Sequence, residues 1–355
     1  MATLKSTSGS GKGSMVEAFS IAGVECAPGQ KAYHELVVDS SNSNVTTLPL
    51  MLINGTLEGP TLCITGGMYG DEYPGIEAAT RIFNKTDPGK LKGRLVVLPV
   101  LNMPSFQWRT VGFSPLDRKD LNRVFPGNSK GTVTERTAHV VLNDIIMKVD
   151  FHLDLRGGDT NESHMTHTII CRTGNSELDR TCYDAARAYG LEYVMIHDAG
   201  KEGATPGILL QEATKNGKPS IISEIGIGLL TYREEDITLT EQCVTRLMKH
   251  LKILEGVAEP FPRKMNIMRQ GARVTCTKGG IFYPMVEQTG PYFTSMLKKD
   301  QKVGEIKNIR GESLEELRSP VDGVLHELLP KRVVIGGETV ILIRTIEDSS
   351  NYFKD

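Results

Sequence analysis

TLCITGGMYGDEYPGIEAATRIFNKTDPGKLKGRLVVLPVLN, residues 61–102, decides the fold class. Its first run, TLCITGG at 61–67, is apolar and β-branched and stops at paired glycines. Its last, RLVVLPVLN at 94–102, repeats the pattern and stops at Pro and Asn. Unbroken apolar runs of this length fit central strands covered on both faces. Between them, GIEAATRIFN at 75–84 carries Ile76, Ala79, Ile82 and Phe83 at helical spacing. Strand, helix and strand in this order form a crossover unit, and such units build parallel sheets.

Outward from this unit the same rhythm continues. Residues 31–38 and 47–54 read as paired strands upstream. Downstream come a helix at 135–148, a strand at 149–155, a helix at 177–190 and a strand at 193–197. A strand at 218–225 and a long amphipathic helix at 238–254 follow. The alternation predicts an α/β fold with a mixed, largely parallel sheet and helices on both faces. At Glu259-Pro260-Phe261-Pro262-Arg263 the character changes to short strands and turns, at Gly279-Gly280, Gly290-Pro291, Gly304, Asp322-Gly323 and Gly336-Gly337. The expected division is a flexible leader at 1–18, an α/β catalytic domain at 19–258 and a small C-terminal all-β domain, of barrel or sandwich type, at 259–355.

Composition narrows the function classes. The 355 residues include 41 basic and 43 acidic ones, a net charge of -2 that speaks for neither nucleic acid nor an anionic membrane as partner. No apolar run reaches the roughly 18–20 residues that span a bilayer. The opening MATLKSTSGSGKGSM lacks the apolar core of a signal peptide, so a cytoplasmic location is expected. Six cysteines, Cys26, Cys63, Cys171, Cys182, Cys243 and Cys276, show no paired spacing and read as reduced, buried thiols.

In open α/β sheets, ligands bind where strands end and loops begin. Four such loops carry chemistry. Gly66-Gly67-Met68-Tyr69-Gly70-Asp71-Glu72 follows a buried strand and aims acids at a cleft, or it is a tight turn with solvated acids. Residues 117–127 gather Arg118, Lys119 and Arg123 around Asp120 and Asn122; Asn122 and Arg123 could clamp a carboxylate, with Arg118 and the upstream Arg109 beside them. The alternative there is a solvated charged loop. Asp154 and Arg156 alternate on a strand covered on both faces, which is costly unless they are paired or functional. Glu224 ends an apolar strand, where burial raises a carboxyl toward the range of a general base or acid, or where it caps the next element.

In this order the loops resemble the succinylglutamate desuccinylase/aspartoacylase branch of the zinc carboxypeptidase superfamily, over residues 19–343. The family's G-x-H-G-[DN]-E stands here as Gly67-Met68-Tyr69-Gly70-Asp71-Glu72. Its D-L-N-R-x-F-P-G is intact from Asp120 to Gly127, and its E-x-G is kept as Glu224-Ile225-Gly226. Its D-L-H-x-G reads Asp154-Leu155-Arg156-Gly157-Gly158. The segment Ser319-Pro320-Val321-Asp322-Gly323 is similar to the family's C-terminal β domain, whose shape is that of biotinyl carriers; no lysine stands at the turn, so no carrier role is expected. The resemblance implies an N-acyl amino acid or related amide or ester as substrate. It further implies Zn²⁺ held by two histidines and a glutamate, attack by bound water with the E-x-G glutamate as base, and association into homo-oligomers.

Only Glu72 of those metal ligands survives; Tyr69 and Arg156 take the histidine positions. A catalytic zinc needs three protein ligands. Arginine offers donors only, and a phenol with a reference pKa near 10 ligates poorly. His152 lies about 13 Å from Arg156 along the same strand face, whereas His164 and His167 could fold back to hold a relocated metal. The alternative is an exchange of charge in kind: Arg156 stands where the metal would, facing Glu72, with Tyr69 as proton donor and Glu224 as base. Three functions stay open: a hydrolase of the family's kind with an altered centre, with or without a metal; a metal-independent lyase, ring-opening or isomerising enzyme beside a held carboxylate; and a non-catalytic ligand-binding homologue. Residues 165–167 and 197–211 are expected to line the pocket.

Overall fold

The computed structural model describes residues 16–40, 45–199, 205–228, 232–258, 265–286 and 295–349. Among the described residues, thirteen strands form one large sheet. In chain order they are β1 (Gln30–Asp39), β2 (Thr46–Asn54), β3 (Leu57–Gly66), β4 (Lys92–Leu98), β5 (Phe151–Gly158), β6 (Ser163–His164) and β7 (His167–Arg172). Then come β8 (Tyr193–Asp198), β9 (Ser220–Ile227), β10 (Asn266–Thr275), β11 (Met296–Leu297), β12 (Gly323–Leu328) and β13 (Thr339–Asp348). Their order across the sheet is β11-β12-β13-β10-β8-β7-β9-β5-β3-β4-β2-β1, with β6 against β12.

The expected α/β class is what the structure shows, and its sheet consists of two parallel blocks. Strands β4, β3, β5 and β9 run parallel to one another, and so do β7, β8 and β10. The blocks meet antiparallel between β9 and β7, and both margins are antiparallel. Strand alternation explains the two covered faces. Leu62, Ile64, Leu95 and Val97 point into one core with helices α1 (Tyr73–Lys85), α4 (Ser176–Tyr189) and α6 (Glu234–His250). Cys63, Val96 and Leu98 point the other way, to α3 (Val133–His139), which follows the short α2 (Met103–Trp108), and to α5 (Leu209–Lys215). Helix α4 has both ends closed: the Asn175 side chain accepts from the Glu177 and Leu178 amides, and Gly190 at φ 94° ends it.

Three expectations change in detail. The helix expected at 135–148 is α-helical only to His139; it widens into a π turn at Val140–Ile145 and tightens to 3₁₀ at Ile146–Lys148. Strand β7, rich in β-branched Thr168, Ile169 and Ile170, stands where the sequence pattern marks no strand. The C-terminal β region is also less separate than its composition suggests. Strand β10 pairs with β8, and β12 and β13 continue the same sheet. Among the described C-terminal residues, Gly280–Pro284, Lys302–Lys307, Ser313–Arg318 and Val333–Val334 form a separate four-stranded sheet, sharing one core with Ile169, Met195 and Ile222. The expected joint at 259–263, the turn at Gly290-Pro291 and most of the leader lie outside the described residues. All six cysteines are buried and free. No helix among the described residues is long and apolar enough to cross a membrane.

Candidate functional site

The four loops converge at the ends of β3, β5 and β9. The turn after β3 delivers Glu72, the N-cap of α1, into a fully buried position. Gly70 makes this possible, because a Cβ there would lie 2.4 Å from the Phe106 amide nitrogen of α2. Both oxygens of Glu72 are engaged: Oε1 accepts from Arg156 Nε at 3.1 Å, and Oε2 from the Tyr69 amide at 3.0 Å. The Arg156 guanidinium lies 4.9 Å from the centre of the Tyr69 ring, so one cation answers both a carboxylate and a π face. Burial pushes the Glu72 carboxyl up, while Arg156 and the Tyr69 amide pull it back toward the charged form. The Tyr69 phenol is pushed up to about 12, again by burial, and stays protonated.

Tyr69 joins this pair to the second loop, its hydroxyl donating to Asp120 Oδ2 at 3.2 Å. Asp120 in turn caps the single turn Leu121–Arg123 through the Asn122 amide. The buried Asn122 spends its Oδ1 on the Leu209 amide, 3.1 Å away at the start of α5. Arg123 is exposed and donates to the Asn122 carbonyl at 2.8 Å. Arg109 and Arg118 are exposed too, and neither makes a side-chain hydrogen bond or ion pair among the described residues.

Glu224 holds the middle of the sheet. In register it faces Arg156 on β5 and His167 on β7. A break in the β9–β5 ladder after it, with Gly226 at φ 115°, bends the strand toward Pro74 of α1. Glu224 is buried and its Oε2 has no hydrogen-bond partner. Burial raises its carboxyl, and Arg156 and His164 pull it back.

Beyond Glu224 lies a group that was only half foreseen. The rings of His164, His167 and His326 sit 5.0–6.3 Å apart, centre to centre. His164 Nε2 meets Glu162 Oε2 at 3.2 Å and its Nδ1 lies 3.7 Å from Glu224 Oε2. Burial would lower His164, but its bond to Glu162 and the Glu224, Glu162 and Glu327 carboxylates hold it up at about 9. His167 bonds the Met165 carbonyl through Nδ1, and burial drives it down to about 3. His326 arrives from β12, a contact that no local pattern announces. His152 is engaged by Thr65 and Ser220 inside the sheet. Residues 165–167 thus border Glu224; of 197–211, Gly207 and Leu209 hold the Asn122 loop, and 200–204 lie outside the described residues.

A zinc ion does not fit the residues at the inherited positions. Both oxygens of Glu72 are occupied, Arg156 has no lone pair to give, and the Tyr69 phenol resists ionisation. Nor does His164 with His167 supply a replacement, since no group of three His, Cys, Asp or Glu side chains among the described residues is arranged to hold a metal.

An α/β sheet with acid, amide and guanidinium groups gathered at its strand ends is the frame of a carboxypeptidase-like hydrolase. The family follows: residues 58–251 match the succinylglutamate desuccinylase/aspartoacylase catalytic domain, and the chain belongs to that family of hydrolases, with its metal site altered. Among curated relatives, the N-alpha-acetyl-L-2,4-diaminobutyric acid deacetylase of Halomonas elongata is 26% identical over 321 residues, covering 88% of this chain and 89% of its own. Among solved structures, the product-bound ectoine utilization protein EutE (DoeB) of Ruegeria pomeroyi matches with a TM-score of 0.80 at 21% identity, over 89% of this chain and 95% of its own. A succinylglutamate desuccinylase/aspartoacylase from Rhodobacter sphaeroides matches at 0.77 and 24%, over 92% and 96%.

Proposed function

We propose that this protein hydrolyses an N-acyl amino acid, releasing the acyl group from a small amino-acid-derived carboxylate at a centre where Arg156 supplies the positive charge. The observation that carries this reading is the buried Arg156–Glu72 pair beside a Glu224 oxygen that accepts no hydrogen bond. In the proposed reaction, Glu224 takes a proton from water as the water oxygen attacks the acyl carbon. The two Nη groups of Arg156, uncommitted among the described residues, stabilise the oxyanion, while Nε stays on Glu72. Collapse breaks the C–N bond, and Glu224 returns its proton to the leaving amine. Arg123, aided by the Asn122 loop, binds the substrate carboxylate, with Arg109 and Arg118 adding charge around it. Tyr69 keeps Arg156 in place and carries a proton near the centre.

The substrate class is supported by the family and by the relative that deacetylates an acylated diamino acid. The partner in this reading is a small carboxylate and not a nucleic acid, in a cytoplasmic setting that suits free cysteines, with self-association as in the family.

The test is amine release from a panel of N-acetyl and N-succinyl amino acids, N-acetyl-2,4-diaminobutyrate first, before and after exhaustive chelation. Turnover that survives chelation and falls about 10²–10⁴-fold in Glu224→Gln supports the proposal. Turnover that stops on chelation and returns with added zinc removes the metal-free centre. No amine release from any member of the panel removes the hydrolase reading.

A further inference from the structure

A polar cavity of about 520 Å³ opens between the end of β8, the middle of β10 and β13. His197, Asp198, Arg269, Arg273 and Arg344 line it. Two of these charges are already answered. Arg269 bonds Glu347 at 2.7 Å, and Asp198 accepts two bonds from Arg172 at 2.6–2.7 Å. Arg273 and Arg344 form no ion pair among the described residues. Glu327 lies within electrostatic reach of both but pairs with neither.

Arg344 is the more enclosed of the two. It is half-buried, and its Nε is shut off from solvent with no acceptor. A buried N–H without an acceptor costs about 1–3 kcal/mol, more on a charged group, so such a donor calls for a partner. A guanidinium meets a planar or tetrahedral oxyanion through parallel N–H bonds, and a second guanidinium on the next strand doubles the charge on offer. The ladder between β10 and β13 breaks between Arg269 and Ala272, at the level where both strands border the cavity.

The cavity opens beyond the histidine side of the candidate centre, with its Arg344 and His197 within electrostatic reach of His167 and His326. His197 and Asp198 pair with Cys171 and Arg172, four and five residues along β7 from His167, which faces Glu224. That is roughly 13–16 Å along the strand. The volume suits a metabolite-sized molecule.

We propose that this cavity is a binding site for a small oxyanion, a carboxylate or phosphate group held between Arg273 and Arg344, and that it does not use the Asn122–Arg123 loop. The site stands whether or not the hydrolase reading does. Calorimetric titration of the full chain with inorganic phosphate, and separately with succinate, at low ionic strength tests it. One saturable equivalent of either anion is expected at this site, and the anion that binds more tightly tells phosphate from carboxylate. Arg273→Gln, at an exposed position where the fold is not at stake, weakens binding about tenfold, as does Arg344→Gln. Arg123→Gln, in the other loop, leaves this equivalent unchanged. Binding of neither anion, or binding that ignores Arg273→Gln and disappears with Arg123→Gln, overturns the proposal.

Discussion

Glu224 separates two buried polar groups that handle charge in opposite ways. On the β5 side, Glu72 and Arg156 bring full charges together, and the carboxylate has no oxygen left over. On the β7 side, His164, His167 and His326 pack their rings together, and His164 Nδ1, His167 Nε2 and both nitrogens of His326 lack hydrogen bonds. The contrast shows what burial allows. A fixed charge survives only with its counter-charge in contact, whereas an imidazole can shed its proton and stay neutral. Only His164, within reach of Glu162 and Glu224, keeps the proton. The first group is therefore a rigid electrostatic fixture, and the second is the part of the site whose charge can change.

The sharpest way to break this contrast is to remove one partner of the fixed pair. Arg156→Met leaves Glu72 buried without a counter-charge, and a loss of about 3–5 kcal/mol is expected in urea unfolding. Adding Glu72→Gln removes the stranded charge, and the double variant should recover most of that loss while staying inactive. If Arg156→Met alone costs under about 1 kcal/mol, the pair is not holding two charges in a dry site.

The histidine side is probed by pH, and its members should act with opposite sign. His164 rises from 6.5 to about 9 on folding. Its stabilisation is thus fully present below pH 6.5 and is lost as pH climbs through 9. His164→Gln should flatten that alkaline decline. His167 falls from 6.5 to about 3, so the unfolded chain takes up a proton that the folded chain refuses. Stability then drops as pH falls below 6.5, by up to about 1.4 kcal/mol per pH unit for one such group. His167→Gln should reduce that acid loss without abolishing it, because His152 and His326 are also lowered by burial. Melting temperatures of the three proteins between pH 4 and 9.5 check both slopes; identical profiles would mean that the rings are hydrated in solution.

The unequal legibility of the two groups has a physical cause. Glu72 sits in the turn after β3, Arg156 and Glu224 in the later halves of β5 and β9, and Asn122 and Arg123 together in one short turn, so short ordered motifs reveal them. Even the charge exchange at Arg156 could be read, since a guanidinium on a strand covered on both faces demands a partner. The Asn122–Leu209 bond and the arrival of His326 depend on elements far apart in the chain, and local patterns carry no trace of them. The same limit explains the C-terminal region. Its short strands and glycine turns announce β structure, but whether they close on themselves or extend the neighbouring sheet depends on the β8–β10 pairing. Composition says nothing about that choice.

The smallest expected effect falls on the link between the fixed pair and the Asn122 loop. Tyr69→Phe removes the hydroxyl that donates to Asp120 but keeps the ring under Arg156. Asp120 still caps Leu121–Arg123 through the Asn122 amide, so its loop should hold. The expected stability loss is about 0.5–1.5 kcal/mol, the range of one ordinary hydrogen bond. Activity then separates two roles for Tyr69. If the hydroxyl only positions the loop, the variant raises KM for the carboxylate substrate and leaves kcat within a few-fold. If the phenol moves a proton in the reaction, kcat falls and KM does not. A large stability loss with neither kinetic change would place Tyr69 in the scaffold, and Arg156 would then owe its orientation to Glu72 alone.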